Sequence, residues 1–150
     1  MDGRARALQG GMIMREILFR GKRTDNGEWV EGIPIKTHIG TFIVFEENPH
    51  FCNQYGYMEI DGLCPVIPEK VGQFTGMKDK NGKKIFEGDI VKVFYRDGET
   101  EIGTIRYTEL CARFQFFGLS EIGYGIDTTC DMEVIGNIHD NPELLKGEEK

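Results

Sequence analysis

The chain has 150 residues, 39% of them hydrophobic and 29% charged, with a formal net charge of −7. No apolar run approaches the ~20 residues that span a bilayer, and residues 1–13 lack the apolar centre of a secretion signal. Length and composition therefore describe a soluble, cytoplasmic protein large enough for one core or for two small ones sharing an interface.

The charge is uneven: from 101 to 150 there are ten acidic residues against four basic ones. An acidic chain repels phosphate backbones unless its cations gather on one face, so nucleic acid is not the default partner. Twenty glycines, all but Gly10-Gly11 scattered singly, punctuate short strands and argue against long helices. Cys52, Cys64, Cys111 and Cys130 form no C-x-x-C pair and read as reduced thiols.

In chain order, residues 1–13 show no period and read as a disordered leader. Glu16 to Phe19 reads as the first strand, Thr24-Asp25-Asn26-Gly27 as a hairpin turn, and Glu28 to Ile35 as the returning strand. Pro34 places that strand at a sheet edge or a bulge, because it cannot donate to a ladder. Trp29, with Val30 and Ile33, is the candidate interface anchor. Thr41 to Phe45 is a strand, Glu47 to Gly56 a polar loop, and Tyr57 to Ile60 a further strand. Leu63-Cys64-Pro65-Val66-Ile67-Pro68 suits a connector better than a central strand, with a boundary near Pro68.

The densest signals lie from Gln73 to Phe94. Asp79-Lys80-Asn81-Gly82 has a side-chain acceptor where a type I turn needs one and glycine where φ turns positive, so two strands meet there. Glu87-Gly88-Asp89 makes a second turn before Ile90 to Tyr95, in which Val91, Val93 and Tyr95 share one face. The Asn-Gly, apolar pair, Glu-Gly order of 81–88 echoes 26–32, although such hairpins are common without duplication.

Phe74 to Val91, FTGMKDKNGKKIFEGDIV, resembles the signature of the YopX family of phage and prophage proteins. Met14 to Gly21 is similar to that family's start and Glu133 to Leu145 to its end, so the resemblance runs from Met14 to Leu145. It implies an all-β protein with an SH3-like C-terminal barrel, in a phage setting, and no established activity. The strands Ile90 to Tyr95, Glu101 to Tyr107, Arg113 to Leu119 and Glu133 to Ile138 are what such a barrel needs. Asp140 or Asn141, Pro142 and Glu143 then start a short helical turn, and residues 146–150 fray. The expected organisation is mainly β: an N-terminal β subdomain over 14–68, then a small SH3-like barrel over 69–145.

Chemistry is weakly signalled. Ser120, the chain's single serine, lacks a nucleophile elbow. Gly123-Tyr124-Gly125 lacks the third glycine of a dinucleotide loop and reads as a turn. Asp127, Asp131 and Glu133 lack the register of a calcium loop, and His50, Cys52 and Cys64 lack a fourth zinc ligand. Asp61, Asp89 and His139 supply acid and base groups only if the fold gathers them. Lys78, Lys80, Lys83 and Lys84 surround the hairpin tip; they are the candidate nucleic-acid contact, set against a plain solubilising role because Asp79, Glu87 and Asp89 dilute their charge. The reading is therefore a non-catalytic, cofactor-free accessory protein acting by homo-oligomerisation or protein binding. A nucleic-acid module is the alternative, and a metal protein or hydrolase the second alternative.

Overall fold

The computed structural model describes residues 15–45, 50–52, 57–59, 62–126 and 130–146, with the side chains of 50–52 and 57–59 excepted. The leader expected over 1–13, most of the loop at 47–56, Asp61, Asp127 and all but the first residue of the 146–150 tail lie outside the described residues.

Strands β1 (Phe19–Lys22) and β2 (Trp29–Thr37) are joined through the turn ending at Gly27, whose φ is +74°. The strand expected at Glu16 to Phe19 thus starts three residues later. A tight hairpin places its strands directly against the turn, and Lys22 accordingly pairs with Trp29. β3 (Gly40–Val44) follows, then the paired short strands β4 (His50–Cys52) and β5 (Tyr57–Glu59), and β6 (Leu63–Val66). β6 corrects the connector reading: it pairs with β3, and its Pro65 is tolerated because β6 is the edge strand.

A 3-10 turn at Pro68–Lys70, where the boundary is expected, leads into β7 (Gly72–Lys78) and β8 (Lys84–Phe86). Both later strands nevertheless join the first sheet, whose order is β6-β3-β2-β1-β7-β8. β2 pairs with β1 through residues 29–32 and with β3 through 33–37. At Pro34 only the β3 side is paired, so the proline sits where its missing N–H costs no ladder bond. An isolated bridge from Arg23 to Val66 curls the sheet around Ile43, Cys64 and Val66, against which Phe19, Val30 and Val71 pack.

The second sheet comprises β9 (Asp89–Phe94), β10 (Thr100–Thr108), β11 (Arg113–Phe117), β12 (Gly123–Gly125) and β13 (Asp131–Asn137), in the order β12-β11-β10-β9-β13. Its core is Val91, Val93, Ile105 and Phe116 with Ile85 from β8, so the β7–β8 hairpin pairs within the first sheet while packing into the core of the second. Tyr95 packs against it on the face shared with Val91 and Val93, as the alternation predicts. Gly123–Gly125 is a strand and not a turn, because Tyr124 pairs opposite Phe116. A short helix, α1 (Glu143–Lys146), follows.

The architecture is mostly β, with two antiparallel sheets and no closed barrel. The expected SH3-like detail is not confirmed: β12 and β13 lie at the two ends of the second sheet's strand order. Strand number and order suit closure, but closure also needs a ladder between the last edges.

Candidate functional site

Two aspartates in turns show how local sequence sets up the chain's polar architecture. Asp79 accepts backbone N–H groups from Asn81 at 2.8 Å and Lys83 at 2.9 Å on Oδ1, and from Val134 at 3.0 Å on Oδ2. Burial pushes its carboxyl up, but those three donors outweigh burial and hold it below the usual range. Gly82, with φ +83°, completes the predicted hairpin turn.

Asp89 is the opposite case. It is only 1% exposed, its Oδ2 accepts the Phe86 N–H at 2.7 Å, and its Oδ1 faces the Arg20 guanidinium at 2.7 Å. That contact is an ion pair, and charge attraction holds it. Burial raises the Asp89 carboxyl, and Arg20 offsets only part of the shift.

Antiparallel pairing puts Arg20 beside Glu31 and Lys22 beside Trp29, and directly opposed residues share a face. On this outer face the Arg20 guanidinium lies 4.9 Å from the ring centres of both Trp29 and Phe86. The Trp29 indole N–H donates to Asp140 at 2.7 Å, and Lys22 donates to the other oxygen of that carboxylate. Those two donors hold the Asp140 carboxyl down at about 2. The His139 ring centre lies 5.9 Å from that of Trp29. Burial, then the nearby Lys70 and Arg20, lower the His139 pKa, which keeps its ring neutral. The result is a polar clamp joining the outer face of the first sheet to the loops flanking the second.

Further along β2 the same face is bare. Ile33 is opposite Val44, which is opposite Leu63; Ile35 is opposite Phe42. Ile33 is 47% exposed, Leu63 43% and Ile35 37%.

The structure separates the candidate interface residues. Trp29 is half-buried in the clamp, Val30 packs on the first core, and Ile33 lies on the open part. The lysines divide as well: Lys80 is 4.0 Å from Glu133 and 4.3 Å from the Phe94 ring centre, and Lys84 is 3.0 Å from Glu31. Lys78 and Lys83 are exposed. Asp131 and Glu133 sit on β13, but Asp127 and the side chains of His50 and Cys52 fall outside the described residues. Among the described residues no three His, Cys, Asp or Glu side chains are grouped to hold a metal.

Sequence reasoning missed the Arg20–Asp89 pair, because a turn already accounted for Asp89. The available signal was Arg20 itself, a charge next to Phe19 in a short strand.

Fold and clamp define a two-sheet, all-β protein whose sheets are joined through polar side chains. The chain belongs to the YopX protein family, whose model matches residues 18–146. It is similar to a solved structure, protein EF1440 from Enterococcus faecalis, with 27% identity and a TM-score of 0.57, covering 88% of this chain and 99% of that one. No curated protein matches.

Proposed function

We propose that this YopX-family protein acts by binding protein and not by catalysis. In this reading it is a self-associating accessory protein of a phage or prophage in the host cytoplasm, and a second copy of the chain docks on the open part of the outer face. The observation that carries the reading is the continuity of that face. At its Trp29 end it is an interface within the chain, and at its Ile33 end, beyond the Glu31–Lys84 ion pair, apolar side chains are exposed. Ile33, Ile35 and Leu63 with half-buried Phe42 and Val44 form an uncharged patch, which suits a like apolar patch better than a charged partner. The acid and base groups nearby are already engaged: Asp89 holds Arg20 and the Phe86 N–H, and Asp140 holds Lys22 and Trp29.

Light scattering coupled to size-exclusion chromatography tests this. The wild type should elute as a discrete oligomer at low and moderate salt, and Ile33→Asp with Ile35→Asp should elute as a monomer with unchanged circular dichroism. A monomeric wild type, or a double variant that still assembles, overturns the reading. So does a salt-sensitive mass shift on adding duplex DNA that disappears with Lys78→Glu and Lys83→Glu, which would establish the nucleic-acid alternative.

A further inference from the structure

The second sheet carries a site independent of the docking face. One face of this sheet borders a cavity of about 510 Å³, a size suited to a small organic molecule. Pairing brings the lining together: Val93 lies opposite Glu101 on one side and Met132 on the other, and Phe116 lies opposite Tyr124. Val93, Phe116 and Met132 make an apolar base, while Tyr95, Tyr124, Ser120 and Glu101 contribute polar groups. Among the described lining residues Glu101 alone carries a formal charge.

Two contacts fix that charge. The Tyr95 hydroxyl donates to Glu101 Oε1 at 2.8 Å. Glu101 Oε2 occupies the space of the missing Gly118 side chain, since a Cβ there would lie 1.7 Å from it. Burial, reinforced by Glu101, pushes the Tyr95 hydroxyl up to about 12, so it remains a donor across the physiological range. A carboxylate oriented in this way among three aromatic rings is a receptor for a cation with carbon substituents, since the rings attract positive charge through their faces. The overall charge of −7 raises the local concentration of such cations.

We infer that this cavity binds an organic ammonium group, its charge set against Glu101 and its carbon substituents against Tyr95, Phe116 and Tyr124. The ammonium belongs either to a free small amine or to a methylated lysine side chain, and the two share this chemistry.

Titration calorimetry of the full chain with choline, with its uncharged isostere 3,3-dimethylbutanol and with Nα-acetyl-trimethyllysine amide is the test. Choline or the trimethyllysine derivative should bind saturably, and the uncharged isostere roughly tenfold more weakly or not at all. Glu101→Gln should weaken cation binding by a similar factor while leaving the isostere unaffected. Tyr124→Ala, at a half-exposed position that should tolerate truncation, should weaken the cations even if the glutamate variant fails to fold. Tighter binding of trimethyllysine than of choline assigns the site to a protein tail, and the reverse order to a free amine; either order supports the site. Equal affinity for choline and 3,3-dimethylbutanol, or no saturable binding of either cation, overturns it.

Discussion

The outer face of β2 behaves in two ways along its length. At the Trp29 end charged side chains lie in a covered contact, and at the Ile33 end apolar side chains face water. Polarity alone would assign burial the other way round. The difference lies in shape and pairing: the flat guanidinium of Arg20 stacks between two rings while its charge meets Asp89, so a polar group is covered without being orphaned. The isoleucines have no such partner among the described residues, and the proposed self-association rests on that exposure.

Breaking the covered end should have the largest effect. Asp89→Ala leaves the largely covered Arg20 without its counter-charge and the Phe86 N–H without its acceptor, and should cost about 3–5 kcal/mol in urea unfolding. Replacing both partners, Arg20→Met with Asp89→Leu, should restore most of that loss. A single variant losing under about 1 kcal/mol would show that the pair does not hold the two sheets together.

A smaller effect should follow pH. The unfolded chain protonates His139 near 6.5, whereas the folded chain, with the pKa lowered, takes up that proton only at lower pH. Between those values the unfolded state binds more protons, so stability falls as the pH drops below 6.5. Melting curves of wild type and His139→Asn at pH 7.5 and 5.5 should show a wild-type decline that the variant lessens. The contribution of Asp140, whose carboxyl is lowered, is present above 3.8 and is lost only as the pH falls through about 2, outside that comparison. A decline of equal size in the variant would remove His139 from this role.

The smallest effect belongs to the open end. Ile33→Thr should change the stability of the monomer by no more than about 0.5 kcal/mol, because its side chain is half exposed and outside both cores. A larger loss in urea unfolding would mean that the isoleucine is packed within one chain, and the contrast between the two ends would close.

Sequence carried the local part of this structure well. Asp79 and Gly82 specified their turn chemically, and alternation in Val91, Val93 and Tyr95 specified an inward face. It carried the non-local part poorly. Nothing near Arg20 names Asp89 as its partner, and only the placement of β7 and β8 beside β1 brings them together. Pro65 argued against a strand, yet an edge strand needs ladder bonds on one side only. An open rather than a closed second sheet depends on curvature and edge distance, which strand count does not encode. The aromatic cavity was hidden for the same reason, since Tyr95, Glu101 and Tyr124 meet only once that sheet forms.

The bond from the Val134 N–H to Asp79 also bears on how the chain matures during synthesis. The hairpin around Asp79 has its local partners as soon as residue 83 is made, but its third partner, and Met132, which accepts the Lys80 N–H at 2.9 Å, belong to the last strand. On the ribosome the turn therefore waits half-solvated, and β9 waits with one edge unpaired, until β13 emerges. Strand β13 is thus a latch: the β7–β8 hairpin and the second sheet are tied together only once it has paired.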